Sequence, residues 1–317
     1  MKATIEYTPR KDLQYSKLVI NFQNFKYDST YLNTIRRILM EYIPTYAFDR
    51  KYINITKNTN YQNNSQLNLR LSQIPVLGIQ TDLLYLDETR YKNVDYEKEK
   101  EKDFPDEKRY EVSINVKNNS TEIINLTTND FSIFIDGKQI ENPYNKKYPL
   151  LITRLRQNEE FICNMQAKIR LGILNNIWSP VYNTYFIEND KNNYTFTIHS
   201  YGQKQELELF KQAIDVILDK INNRLKGELF NEINSEQKSF SDFIFKLKDK
   251  SIANILSSTL EKYNEVLAVG TNIESFLDPN VELHLKLKEN VDFNKLIDKC
   301  IKDINDIYND IKKSIDK

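Results

Sequence analysis

Apolar residues along this chain switch between two spacings, and the switch occurs twice in the same order. Leu18, Ile20 and Phe22 alternate with polar neighbours, the period of a half-buried strand. Leu32, Ile35, Leu39 and Tyr42 then recur at helical spacing. Asp28 or Ser29 can cap that helix, and Pro44 stops it because proline lacks the backbone N–H. Strand-like segments are expected around 47–55 and 67–71, before a run at 74–78 that ends in turn chemistry. Further on, Tyr194, Phe196 and Ile198 mark a strand. Leu207, Phe210, Ile214, Ile217, Ile221 and Leu225 line one face of a helix that Gly227 can end.

The second pass opens near residue 228. Phe243, Phe245 and Leu247 suggest a strand. Ser251 is the expected cap of a helix with Ile252, Ile255, Leu256 and Leu260 on one side. Val281, Leu283, Leu285 and Leu287 alternate. Phe293, Ile297, Cys300, Ile304, Ile307, Tyr308, Ile311 and Ile315 then stripe a last helix. That helix spans about 25 residues, roughly 37 Å at about 1.5 Å per residue. Left in water, each large side chain of the stripe would forfeit about 1.5–3 kcal/mol of burial. The helix over 207–225 is the natural cover, and the alternative is that each helix covers only its own sheet.

Between the two passes the period is that of strands. Val112, Ile114 and Val116 alternate, as do Phe131, Ile133 and Ile135, ahead of a hairpin-type Asp136-Gly137 turn. Phe161, Cys163, Met165, Ala167 and Ile169 extend the pattern. The mixed-charge run at 97–103 reads as a solvated loop. The expected architecture is therefore α+β, with one dimerisation-type unit present in two diverged copies. The first unit occupies 1–81 and 183–227, with a β-rich inserted domain at 82–182. The second, smaller unit occupies 228–317. The two are expected to form an intramolecular pseudo-dimer.

Composition narrows the function. A charge balance of 45 basic and 45 acidic residues argues against a chain that grips nucleic acid by itself. A mean hydropathy of −0.62 and the lack of a long apolar run imply no membrane span. No secretory leader is visible at the start. Two distant cysteines, Cys163 and Cys300, imply neither a disulfide framework nor a structural zinc site, and no cofactor is expected. Phosphate-cradling and His-Glu-x-x-His motifs are absent. With His199 and His284 the only histidines, imidazole acid–base chemistry has little to work with. His199 reads as a packed or surface strand residue.

The segment Asn33-Thr34-Ile35-Arg36-Arg37-Ile38-Leu39-Met40-Glu41-Tyr42-Ile43-Pro44-Thr45 resembles the signature of the alpha-like subunits of multisubunit DNA-dependent RNA polymerases. Leu69-Arg70-Leu71-Ser72-Gln73-Ile74-Pro75-Val76 is similar to the family's second block, with Ser where Gly is usual and Leu where His is common. The stretch from Leu155-Arg156 through Gly172-Ile173 to Trp178-Ser179-Pro180-Val181 resembles the end of the larger subunit's inserted domain. Phe196 to Gly202 looks like the strand that re-enters the dimerisation domain. In the last third, Asp249 to Leu256, Val266 to Gly270 and Leu277-Asp278-Pro279 resemble the smaller alpha-like subunit. Both subunits in one polypeptide is an arrangement similar to that of large DNA viruses that transcribe in the cytoplasm.

The resemblance implies a non-catalytic assembly platform. Its expected partners are the largest and second-largest polymerase subunits and other small polymerase subunits. Sequence-specific DNA contact and membrane association are not expected, and the expected location is the cytoplasmic viral factory and the virion rather than the nucleus. The alternative is a generic duplicated-fold interaction protein that self-associates. Asn33, Arg36, Arg37 and Arg70 are the candidate partner-binding residues. Adjacent helical positions point about 100° apart, so Arg36 and Arg37 cannot serve one contact: one can satisfy the fold while the other faces a partner. The plainer reading of Arg37 is an intrahelical pair with Glu41, worth about 0.2–0.5 kcal/mol.

Overall fold

The computed structural model describes residues 1–9, 16–86, 106–225, 242–273 and 280–316. The helices are α1 (Ser29–Glu41), α2 (Asn64–Ser72), α3 (Glu206–Asp219), α4 (Lys250–Leu260) and α5 (Phe293–Ile315). A π-helical stretch, Lys220–Leu225, continues α3.

A four-stranded antiparallel sheet joins strands from both ends of the first 200 residues. Its members are β1 (Lys2–Pro9), β2 (Ser16–Gln23), β10 (Val181–Asp190) and β11 (Asn193–Ser200), in the order β1-β2-β11-β10. Ile20 lies opposite Ile5 and Phe196, so one face of the sheet is apolar across its width. The alternation expected at Leu18, Ile20 and Phe22 is that face, and all three are buried. Helices α1 and α3 pack on it.

The stretch between α1 and β10 builds a separate core. β3 (Thr45–Asn58), β4 (Tyr110–Lys117), β6 (Ser132–Ile135), β7 (Lys138–Ile140) and β9 (Glu160–Arg170) form a five-stranded sheet in the order β3-β9-β4-β6-β7. β5 (Ile124–Thr127) pairs with β8 (Leu151–Leu155) beside it. The Asp136-Gly137 turn between β6 and β7 has both residues at positive φ, 49° and 78°, the backbone of a type I′ hairpin. Buried residues from Tyr46 to Leu171 cluster here, apart from the main core.

Two local expectations are corrected. Residues 67–71 lie in α2, not a strand. Asn63 caps that helix by accepting from the Gln66 N–H. Leu67 and Leu71, four apart, are buried while Leu69 is exposed, so the period is helical. The cap of α4 is Asp249 rather than Ser251: the Asp249 carboxylate accepts from the Ser251 N–H at 2.9 Å. At α1 the cap is Asp28, accepting from the Thr30 N–H at 2.7 Å. The mixed-charge run at 97–103, Gly227 and the Leu277-Asp278-Pro279 block lie outside the described residues.

In the last third, β12 (Asp242–Leu247), β13 (Val266–Asn272) and β14 (Val281–Leu287) form a sheet in the order β12-β14-β13, with α4 against it. One continuous core then runs from the four-stranded sheet through the helices to this sheet. α1 packs on α4 and α3 on α5. The stripe on α5 is covered: Ile304, Tyr308 and Ile311 are fully buried.

Candidate functional site

Helix α1 has two faces with different work. Inward, Tyr31, Leu32, Ile35, Ile38 and Leu39 are fully buried. Tyr31 carries the contact with α4: its hydroxyl lies 2.8 Å from Thr259 Oγ1. Thr259 already donates its one hydroxyl proton to the Ile255 carbonyl at 2.7 Å, so Tyr31 donates to Thr259. The Tyr308 hydroxyl of α5 donates to the Tyr31 carbonyl, and the two rings meet edge-on at 5.8 Å. Burial pushes the Tyr31 phenol up to about 12 and the neighbouring Cys300 thiol up to about 12. Both stay neutral, which suits a dry seam.

A polar ladder flanks that apolar contact. Asn222 faces Asn305, Asp215 faces Lys312, and Lys211 faces Asp316. Each step back along α3 and its π-helical continuation is matched by an equal step forward along α5, so the two run antiparallel. The steps, four and seven residues, keep the contacts on one face of each. Lys220 closes the end of the seam. Its ammonium lies 2.5 Å from the Asp249 carboxylate and 3.1 Å from the centre of the Tyr42 ring.

Outward, α1 presents Asn33, Arg36, Arg37, Met40 and Glu41, all half-buried. Arg36 Nε donates to Asn33 Oδ1 at 3.0 Å and its Nη1 rests 3.7 Å from the Met40 sulfur. Arg37 grips both oxygens of Glu41 at 3.3 Å. In the isolated chain, then, Arg37 makes the intrahelical pair, and Arg36 is steadied by Asn33. The structure brings these three residues onto one helix surface. Arg70 stands elsewhere: it is exposed on α2, which packs on β3 and β8 in the other core, and no hydrogen bond or ion pair holds its guanidinium among the described residues. His199 is half-buried in β11, with the Tyr182 hydroxyl 3.1 Å from its Nδ1.

A long-range contact fixes the end of α1. Gly172 follows β9 and abuts the helix so closely that a Cβ there would lie 1.9 Å from the Met40 carbonyl oxygen. The next N–H, of Ile173, donates to the Glu41 carbonyl at 2.9 Å, satisfying an acceptor that a helix C-terminus leaves open. Periodicity gives no hint of this contact. The seam ladder, in contrast, is foreshadowed by polar residues at seven-residue spacing, Asp215 with Asn222 and Asn305 with Lys312.

Among the described residues no His, Cys, Asp and Glu grouping could hold a metal ion. No described helix is long and apolar enough to cross a membrane.

The model of the RNA polymerase Rpb3/Rpb11 dimerisation domain matches residues 21–221. The chain is also similar to a protein of Acanthamoeba polyphaga mimivirus that carries the provisional name DNA directed RNA polymerase subunit R470. The two are 22% identical over 336 aligned positions, covering 98% of this chain and 92% of the viral one. The matched segment takes in α1, the second core and α3, more than half of the sequence, and the chain belongs to the RNA polymerase Rpb3/Rpb11 dimerisation-domain family.

Proposed function

We propose that this subunit is a non-catalytic assembly platform for a DNA-dependent RNA polymerase, with both alpha-like units fused in one polypeptide. The first unit is Rpb3-like and the last third is its smaller, Rpb11-like partner, so that a pseudo-dimer is built within the chain. The outward face of α1, with Asn33, Arg36 and Arg37, docks the second-largest subunit, and Arg70 supports that docking from α2. The last third meets the largest subunit. The chain acts through protein contacts, without sequence-specific DNA binding of its own, in cytoplasmic viral factories and the virion.

The observation that carries this reading is the shared core. The buried stripe of α5 and the α1–α4 contact use up the apolar helix faces that separate alpha-like subunits would offer to each other. The same observation counts against the self-associating alternative, which needs those faces free. Affinity capture of the tagged chain from its native source tests the proposal. Recovery of both large polymerase subunits supports it. Recovery of neither, with a stable homodimer in sedimentation, replaces it with the alternative.

A further inference from the structure

We propose that the Ile173-Leu174 turn is an apolar anchor point for the segment of the second-largest subunit that docks on α1. This rests on the docking role proposed above and adds to it a specific contact and a chemistry. The turn is fixed on three sides. Gly172 lies against the Met40 carbonyl, where no side chain fits. The Ile173 N–H is held by Glu41, and the Leu174 N–H donates to the Leu171 carbonyl at 3.0 Å. Leu171 itself is buried, and the Trp178 indole N–H pins the strand behind it through the Lys168 carbonyl at 2.9 Å. A turn tied down so firmly nonetheless leaves Ile173 49% and Leu174 39% exposed.

Single exposed aliphatics are ordinary. Here two adjacent ones are held rigidly at the end of a helix that carries two half-buried guanidiniums. Arginine is a residue type enriched at interface hot spots, and an apolar pair pre-ordered on the end of the same helix lowers the entropy lost on docking. Charge selects the occupant. Arg36, Arg37 and Glu41 leave one net positive charge on the outward face of α1, the helix whose last residue holds the turn. The surface therefore fits a protein segment that sets an aliphatic side chain next to a carboxylate. Nucleic acid is the poorer fit, because residues 173–176 add no cation.

The test is reconstitution of the full-length chain with the second-largest subunit, scored by co-purification. The variants are the double Ile173→Asp/Leu174→Asp, Arg36→Glu, and Ile123→Asp as an exposed apolar control in the insert. The expected result is recovery reduced about tenfold or more for the double variant and for Arg36→Glu, as for loss of a hot-spot residue, with the control unchanged. Thermal melts equal to wild type in all three variants keep the loss attributable to docking. A lowered melt in the double variant moves the comparison to Ile173→Ser/Leu174→Ser, for which the same loss is expected. Wild-type recovery with the double variant overturns this inference alone. Wild-type recovery with Arg36→Glu overturns the carboxylate part. Failure of the unmodified chain to recover the subunit overturns the docking reading and this inference with it.

Discussion

Asn222 and Asn305 exchange two hydrogen bonds across the seam, one amide donating at 3.2 Å and the other at 2.8 Å. The two residues lie 83 positions apart in the chain, one on the π-helical continuation of α3 and one on α5, and form one end of an antiparallel ladder. The ladder is partly exposed, while the contact it flanks is dry, so the two features should respond differently to mutation. Core residues set the stability of the seam, and the ladder sets its register.

The first prediction concerns the core. Ile304→Ala deletes three methyl-sized groups from a fully buried site on α5 and should cost about 2–5 kcal/mol. Because one core serves both halves, urea unfolding should stay a single transition with a lower midpoint. Two separated transitions would show the halves unfolding independently.

Tyr31→Phe keeps the ring and removes the hydroxyl that donates to Thr259. Thr259 keeps its bond to Ile255, so only one acceptor position is vacated. The expected loss is about 0.5–1.5 kcal/mol by chemical denaturation. A cost above that range would show the hydroxyl holding more than this one bond.

The ladder can be tested by charge reversal. Lys312→Asp places two carboxylates together at Asp215 and should destabilise the chain, and adding Asp215→Lys should restore most of the loss. Both side chains are about a third exposed, so the coupling in a double-mutant cycle should be about 0.2–1 kcal/mol. Zero coupling would remove the pair from the account of register.

Alkali should weaken the fold from pH 9 upward. Cys163 and Cys300 are pushed from 9.0 to about 12, and Tyr31 and Tyr46 from 10.0 to about 12, in each case chiefly by burial. Below pH 9 these groups are protonated in both states and their contribution is intact. Between about 9 and 12 the unfolded chain releases protons that the native chain retains, so stability falls as pH rises. Denaturant midpoints measured from pH 8 to 11 should decline steadily. In the same range below pH 9, both thiols should resist a thiol reagent until the chain is unfolded.

Much of this was legible from spacing because each element buries one face. The stripe from Ile297 to Ile315 on α5 and the alternation at Val281, Leu283, Leu285 and Leu287 are direct images of the core. Leu67, Leu69 and Leu71 misled because a three-leucine alternation fits a strand, while the two that matter, Leu67 and Leu71, also fit a helix. β1 carries a faint signal: Ala3, Ile5 and Tyr7 alternate, but Ile5 and Tyr7 stay exposed at the sheet edge. At the candidate site, the Arg37–Glu41 pair follows from i, i+4 spacing. The Gly172 contact with Met40 does not, because it joins residues far apart in the chain and depends on a missing side chain rather than on a pattern.

The central claim is that one copy of this chain supplies both halves of the platform. Native mass spectrometry of the complex reconstituted with the two large polymerase subunits tests it most directly. The account predicts a single species holding one copy of the chain and one of each large subunit. A species with two copies of the chain, or large subunits that assemble without it, would contradict it.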